Sequence, residues 1–278
     1  MKTEEKSIKD RQLQVAVSAD GTTIGYYKSG DGPPLLLVHG ALGDHTRWDV
    51  LRPYLEPHFT VYAMDRRGRG ASGDHPKYDV AREFEDVAAV VDAISRTDQS
   101  GVYVVGSSAG AAFAIAAAVL TQNIRRLVLF EPPTSYVLDL VPSEIIDQLN
   151  AMLAADDREG ILTTAYRKIV SLSEAEIAQL RSNSAWPNRV AAAHTVPREL
   201  SVPAERMFDP EQAATVTVPA LLLVGGATPE PFKKSAATVA SALPNARISI
   251  LEGQHHGAEM FAPDVVARAI LPFLRVYQ

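Results

Sequence analysis

VVGSSAGAA, residues 104–112, contains two adjacent serines between glycines. It joins an apolar run, which predicts a strand, to an alanine-rich run, which predicts a helix over residues 109–120. Within it, GSSAG at residues 106–110 matches G-x-S-x-G with Ser108 in the middle, and Ser107 fills only the variable position. A serine on such a sharp strand-to-helix turn projects its oxygen outward, so the pattern indicates a nucleophile at Ser108. The alternative is a turn of small residues in which a serine caps the helix.

Short apolar runs alternate with longer amphipathic ones along most of the chain. Most of the predicted strands are apolar nearly throughout, which is typical of strands buried on both faces of a parallel sheet. The alternation predicts an α/β fold with a doubly wound, mostly parallel sheet, whose sites lie at the carboxyl ends of the strands. We expect strands at residues 13–18, 23–27, 35–38, 60–64, 102–105, 127–130, 220–224 and 246–251.

The strand signals stop between residues 134 and 214. Two segments there, 143–153 and 173–180, have helical spacing, and Ser143 and Ser173 are expected to cap them. We therefore predict a helical cap of residues 134–214, inserted after the sixth strand. The core of the fold would then consist of residues 1–133 and 215–278.

Composition narrows the classes of partner. The net charge is -6 and no basic stripe is present, so nucleic acid is not expected to bind. A charged start, and the absence of an apolar run of about 18 residues, predict a cytoplasmic protein with no secretory signal and no membrane span. The chain has no cysteine and no metal-binding motif, so we expect neither a metal nor a cofactor. The expected partner is a small molecule, and the sequence does not determine the oligomeric state.

A second motif, HGALG at residues 39–43, follows the strand predicted at residues 35–38. A loop at this place can present a backbone N–H to a developing oxyanion, and we expect Ala41 and Ala109 to supply the pair of N–H groups. For the His39 side chain we expect a packed, hydrogen-bonded role. Leu42 and Trp48 are candidates for lining a substrate pocket, with core packing as the alternative.

Four motifs together carry a resemblance to a known family. HGALG at 39–43, MDRRGRGASG at 64–73, GSSAG at 106–110 and GQHH at 253–256 occur in the order and spacing of the α/β-hydrolase superfamily. The chain resembles this superfamily from Val15 to its last helix, and the resemblance implies the α/β-hydrolase fold. The segment from Asp65 is similar to the family's D-x-R-G-x-G-x-S, which is mainly architectural. We therefore assign no catalytic role to Asp65, Arg67 or Ser72.

The resemblance also implies a base and an acid for Ser108. The catalytic histidine of similar members ends a G-x-x-H loop, which selects His256 and leaves His255 as the competitor. The usual place for the acid, after the strand at residues 220–224, holds no carboxylate, and Glu230 lies beyond it. Glu131 instead ends the sixth strand, where haloalkane dehalogenases and the fungal zearalenone lactone hydrolase place the glutamate of the triad. We expect Glu131 to be the acid, with Glu230 as the alternative.

The resemblance implies a serine hydrolase that cleaves a carboxylic ester or lactone through an acyl-enzyme on Ser108. Apolar residues of the cap, Trp186 among them, are expected to line the substrate pocket, with ordinary packing as the alternative. A carbon-carbon bond hydrolase and a cofactor-free perhydrolase would use the same triad, so fold analogy does not separate them. A hydrolase-like binding protein with little turnover is the third alternative.

Overall fold

One eight-stranded sheet forms the centre of the molecule. The computed structural model describes residues 11–275. The charged start and the last three residues of the predicted core therefore lie outside the described residues. The strands are β1 (Gln12–Val17), β2 (Thr23–Ser29), β3 (Pro34–Val38), β4 (Thr60–Met64), β5 (Val102–Ser107), β6 (Ile124–Phe130), β7 (Ala220–Gly225) and β8 (Ala246–Leu251).

The strand order is β1-β2-β4-β3-β5-β6-β7-β8. β2 pairs antiparallel with both β1 and β4, and every other pair of neighbours is parallel. The predicted doubly wound, mostly parallel sheet is confirmed. Because the parallel strands all end at one edge, the loops that follow β3, β5, β6 and β8 meet there.

The helices cover both faces of this sheet and one of its edges. Before β6 they are a 3-10 helix (His45–Trp48), α1 (Arg52–Leu55), α2 (Val80–Ser95) and α3 (Ala109–Leu120). Between β6 and β7 lie α4 (Ser135–Leu138), α5 (Ser143–Ala154), α6 (Arg158–Lys168), α7 (Glu174–Arg181), α8 (Trp186–Ala192), α9 (Thr195–Leu200), α10 (Ala204–Met207) and α11 (Pro210–Ala213). After β7 come α12 (Glu230–Ala242), α13 (Ala258–Phe261) and α14 (Pro263–Arg275).

The core lies in two layers, because successive side chains of a strand point to opposite faces. In β3, Leu36 and Val38 pack toward α2, α3 and α12, whereas Leu35 and Leu37 pack toward α1 and α14. Strands buried in this way on both sides are apolar throughout, which explains why their sequence shows no alternation.

The helices between β6 and β7 have a smaller apolar cluster of their own. Leu149, Ile161 and Tyr166 are among its buried members, and Leu42 from the loop after β3 joins it. Met207 and Ala213, in α10 and α11, pack instead with the cluster on the α2–α3 face of the sheet. The predicted boundary at residue 214 stays a prediction.

The two predicted helix caps have different outcomes. Ser173 accepts a hydrogen bond from the Glu176 N–H, and the Glu176 side chain returns to the Ser173 N–H, so this capping box is confirmed. The prediction for Ser143 is wrong, because the capping position is held by Pro142 and Ser143 is the first helical residue. Within residues 11–275, no helix combines the length and the apolar character needed to cross a bilayer.

Candidate active site

Ser108 lies on a strained turn between β5 and α3. Its φ of 52° and ψ of -123° are values that a non-glycine residue rarely adopts, at a cost of about 1–3 kcal/mol. The turn is held by a hydrogen bond from the Ser108 N–H to the Phe130 carbonyl at 2.8 Å. A Cβ atom on Gly106 would lie 2.5 Å from the Gly110 carbonyl oxygen, and one on Gly110 would overlap the Val38 carbonyl. Both glycines of the motif are therefore required by the close approach of the neighbouring backbone.

The loop after β3 packs directly against this turn. A Cβ atom on Gly40 would be 3.1 Å from the Cβ atom of Ser108. Leu42 has a φ of 59°, and its carbonyl accepts a hydrogen bond of 2.9 Å from the Tyr166 hydroxyl on α6. In the part of the chain from residue 11 to 275, neither the Ala41 N–H nor the Ala109 N–H donates to a protein acceptor. Both N–H groups therefore remain available to a ligand.

His256 and Glu131 form a hydrogen-bonded pair beside the turn. His256 Nδ1 lies 2.5 Å from Glu131 Oε2, and the Gly225 N–H donates to Glu131 Oε1 at 2.8 Å. A carboxylate can only accept, so Nδ1 carries the hydrogen and Nε2 is left as the proton acceptor. Glu131 is fully buried, and the imidazole packs against Phe130 and Phe232, with the Phe232 ring centroid at 4.6 Å. The arrangement fixes both the tautomer and the orientation of the imidazole.

Neither the alternative acid nor the alternative base takes part in this hydrogen-bonded pair. Glu230 is exposed and is the first residue of α12. His255 is also exposed, next to His256 in the loop after β8. The contact with His256 comes from Glu131, as the resemblance implies.

A cavity of about 90 Å³ brings these groups together. Ser108, His256, Ala41 and Ala109 all line it. Most of the remaining wall is apolar and comes from the segment between β6 and β7: Val137, Leu138, Val141, Ala165, Ile169, Val170, Val196, Leu200 and Met207. The cavity therefore offers reactive groups on one side and an apolar wall on the other.

Of the three predicted pocket residues, only Leu42 lines this cavity. Trp48 is buried against the other face of the sheet, in the cluster that contains Leu35 and Leu37. Trp186 belongs to the apolar cluster between β6 and β7, where its ring centroid lies 6.3 Å from that of Tyr166. Both tryptophans thus serve packing, which is the alternative that the sequence left open for each of them.

Two polar residues in the cavity wall were missed by sequence analysis. Glu199 on α9 is buried and forms ion pairs with Arg69 and, at 3.1 Å, with Arg66. Burial opposes its ionisation, but the two arginines outweigh this and hold the pKa of Glu199 below its ordinary value. Tyr78 also lines the cavity, and burial raises the pKa of its hydroxyl. No motif marks either residue, because it is the packing of α9 against the loop before α2 that brings Glu199 and Tyr78 to the cavity.

The His39 side chain is packed, as expected. Its Nδ1 is 2.7 Å from the Gly40 carbonyl, and its Nε2 accepts from the Arg66 N–H at 3.2 Å. Burial, together with the positive charge of Arg66, holds the pKa of His39 well below its ordinary value. His39 therefore stays neutral and braces the loop that carries Ala41.

The segment from Asp65 has the structural contacts expected of it. Asp65 is buried and accepts hydrogen bonds from the His45 and Ala71 N–H groups. Arg67 is paired with Asp86 at 2.6 Å, and the Ser72 hydroxyl donates to the Asp65 carbonyl at 2.6 Å. These contacts tie the loop after β4 to the core.

One group of residues has the spacing of metal ligands. Among residues 11–275, Asp44, His45 and Asp65 bring possible ligand atoms within 4.8 Å of one another. His45 Nδ1, however, is 2.8 Å from Asp65 Oδ1, so these two groups are already paired with each other by a hydrogen bond. The arrangement fits a hydrogen-bonded pair better than a metal site.

Comparison with known proteins agrees with this architecture. The family model described as the alpha/beta hydrolase family matches residues 35–269. An alpha/beta hydrolase from Sphaerobacter thermophilus is 37% identical, with a TM-score of 0.80 over 94% of this chain and 100% of that one. A thermophilic esterase from Thermogutta terrifontis is 23% identical, with a TM-score of 0.72 over 95% and 98% of the two chains.

Curated relatives are more distant or match over a short stretch. A non-heme haloperoxidase from Rhodococcus erythropolis is 26% identical over 279 residues, 94% of this chain and 99% of its own length. Mycobacterial proteins named as probable oxidoreductases are 42% identical, but only over 55 residues, or 9% of their length. The family model covers most of the chain, and the sheet order and the strained Ser108 turn agree with it. This protein belongs to the alpha/beta hydrolase family.

Proposed function

We propose that the protein hydrolyses a carboxylic ester or lactone through an acyl-enzyme on Ser108. The observation that carries this proposal is the cavity itself, which Ser108 shares with a histidine that is hydrogen-bonded to a buried glutamate. A serine, a histidine and a carboxylate with these roles define nucleophilic acyl transfer.

In the first step, Ser108 Oγ attacks the substrate carbonyl. The Oγ–C bond forms as the Oγ–H bond breaks, and the proton passes to His256 Nε2. The imidazolium is stabilised by Glu131, which holds its Nδ1–H. The Ala41 and Ala109 N–H groups, which have no acceptor within residues 11–275, stabilise the oxyanion. The proton then moves from Nε2 to the leaving alkoxide as the ester C–O bond breaks.

In the second step, water hydrolyses the acyl-enzyme. His256 accepts the proton from water as the new C–O bond forms, and it returns that proton to Ser108 when the carboxylic acid leaves. In a lactone the alkoxide and the acid belong to one molecule, so the ring opens to a hydroxy acid.

The apolar wall of the cavity sets the class of substrate that we propose. Residues 134–214 would act as a cap domain that covers the ester and excludes water from its apolar part. Because the wall is apolar except for Tyr78 and Glu199, a substrate with a hydrocarbon or ring body fits it best.

Acid release from short esters, long esters and macrocyclic lactones tests the proposal. Wild type should release acid from at least one of these classes, and Ser108→Ala should lower kcat about 1,000-fold or more. Ser241→Ala, which removes an exposed hydroxyl on α12, is the matched control and should keep full activity. A wild type that turns over none of the esters, or a Ser108→Ala variant as active as wild type, would refute the proposal.

The haloperoxidase relative favours one second candidate, a cofactor-free perhydrolase on the same serine. Here hydrogen peroxide replaces water in the second step, so the acyl-enzyme yields a peracid. Peracid formation from an ester and hydrogen peroxide, measured beside acid release, separates the perhydrolase from the ester hydrolase.

Cleavage of a β-diketone in the same assay would instead identify a carbon-carbon bond hydrolase. Binding of a panel compound without turnover would favour a receptor.

A further inference from the structure

Three segments of the candidate active site meet at one buried carboxylate, that of Glu259. Its Oε1 accepts hydrogen bonds from the Ser107 hydroxyl at 2.5 Å and from Arg47 Nε at 2.9 Å and Nη2 at 2.6 Å. Ser107 precedes Ser108, Arg47 lies in the 3-10 helix that follows the Ala41 loop, and Glu259 is on α13. A single side chain thus links the elements that carry the nucleophile, the oxyanion loop and His256.

The three side chains are removed from water. Ser107 is fully buried, Glu259 is 2% exposed and Arg47 is 7% exposed. Burial opposes ionisation of Glu259, but the Arg47 charge and the Ser107 hydrogen bond outweigh it and hold the pKa of Glu259 below its ordinary value. Glu259 is therefore a fixed negative charge in a region of low dielectric, where hydrogen bonds to charged groups are strong.

This charge also acts on His256. A positive charge on His256 is among the factors that lower the pKa of Glu259, so the carboxylate and a protonated imidazole attract each other. The other charged or titratable groups around this site are Glu131 from the end of β6, Arg47 from the 3-10 helix, neutral His39, and His255 next to His256. Of these, Glu131 touches the imidazole directly.

We infer that Glu259 is a positioning residue for His256. Its carboxylate holds β5, the 3-10 helix and α13 in register, and its charge favours the imidazolium that forms when Ser108 loses its proton. Ser107 and Arg47 act through Glu259. The inference rests on the proposed function, because His256 must be the base for its position to matter. It also gives a role to Ser107, which the G-x-S-x-G pattern leaves variable.

Glu259→Gln is the direct test, because it removes the charge and keeps the size of the side chain. We expect kcat to fall about tenfold with KM changed less than about twofold, since the effect is on the proton transfer and not on binding. The acid limb of the kcat/KM profile should move to lower pH, because protonation of His256 becomes less favourable. Glu252→Gln, at an exposed residue of the loop between β8 and α13, should leave kcat, KM and the acid limb unchanged.

Ser107→Ala is the second variant, and it tests the inference if the Glu259→Gln protein does not fold. It removes one hydrogen bond and leaves the Glu259 and Arg47 charges in place. We expect kcat to fall about threefold to tenfold, with the acid limb at its wild-type pH. Ser107→Thr, which restores a hydroxyl, should recover part of kcat.

The outcomes separate this inference from the proposed function. If Ser108→Ala is as active as wild type, the proposed function is refuted, whatever the Glu259 variants show. If activity depends on Ser108 but Glu259→Gln lowers only the melting temperature, with kcat and the acid limb unchanged, Glu259 is merely structural and the inference is overturned. Unchanged kcat in both Glu259→Gln and Ser107→Ala would have the same meaning.

Discussion

Glu131 Oε2 lies 2.5 Å from His256 Nδ1, although 125 positions separate the two residues in the chain. Glu131 has a φ of 44°, so its backbone is strained at the end of β6. The strain is held by two hydrogen bonds to β7, from the Glu131 N–H to the Leu223 carbonyl and from the Gly225 N–H to Glu131 Oε1. Strained residues that the surrounding structure holds in place cluster at functional sites, and Ser108 is a second example.

Glu131→Gln should lower kcat about 100-fold to 10,000-fold. A glutamine can donate to Nδ1, so it selects the wrong tautomer of His256 and cannot stabilise the imidazolium. The measurement is acid release from the best ester of the panel, with circular dichroism to verify folding. Glu230→Gln is the matched control and should retain full activity; loss of activity there, with an active Glu131→Gln, would reassign the acid.

Tyr166→Phe should loosen the loop that carries Ala41. It removes the 2.9 Å hydrogen bond to the Leu42 carbonyl and leaves that buried acceptor unpaired, which costs about 1–3 kcal/mol. We expect the free energy of unfolding to fall by that amount and kcat to fall severalfold, as measured by urea denaturation and ester hydrolysis. Tyr136→Phe changes an exposed tyrosine on α4 and should have neither effect. Equal behaviour of the two variants would argue against this role of Tyr166.

Glu199→Ala should destabilise the contact between α9 and the loop after β4. It leaves Arg66 and Arg69 buried without this carboxylate, and breaking a buried ion pair costs about 3–5 kcal/mol. The check is the free energy of unfolding by urea denaturation. Glu174→Ala breaks the exposed pair with Arg167 and should cause no detectable change. A Glu199→Ala protein as stable as wild type would contradict the prediction.

Met207→Ala should shift the preference toward longer acyl chains. Met207 lines the cavity that contains Ser108 and His256, and also a second cavity of about 160 Å³ next to α2 and α3. Removal of its side chain would connect the two cavities. Burying one methylene group contributes about 0.8 kcal/mol, so each methylene added to the acyl chain should raise kcat/KM of the variant, relative to wild type, about fourfold. A series of esters of increasing acyl length measures this.

Met152→Ala is the control for this variant, since Met152 lies in α5 and lines neither cavity. A chain-length profile of Met207→Ala that matches wild type would show that Met207 does not limit the acyl group.

Stability should fall as the pH drops below about 6.5, in part because of His39. Its pKa is depressed in the folded state, so on acidification the unfolded chain takes up the proton near pH 6.5 while the folded protein does not. Falling pH therefore favours unfolding, by up to about 1.4 kcal/mol per pH unit for this one proton. Between pH 6.5 and 5, His39→Gln should show a shallower loss of unfolding free energy than wild type. His75→Gln, at an exposed histidine, should keep the wild-type slope.

Part of this protein can be read directly from the sequence. The strands at residues 60–64 and 246–251 and the helix at residues 109–120 have the predicted bounds. The elbow at Ser108 is also local, because two glycines and a serine at fixed spacing are what a strained strand-to-helix turn requires. Chain order then determines the sheet, since parallel strands joined by helices bring the ends of β3, β5, β6 and β8 to one edge.

Which side chains meet at that edge depends on the tertiary structure. Trp48 follows the loop of Ala41 closely in sequence, yet it packs on the face of the sheet that contacts α1 and α14, away from the cavity. Glu199 and Tyr78 carry no motif, and Ser107 meets Glu259 across 152 positions. Such contacts depend on how helices pack and how loops are oriented, and these follow from the sum of many long-range contacts. Local spacing therefore identified the candidate nucleophile, whereas the cavity wall and the residues that hold His256 depend on packing.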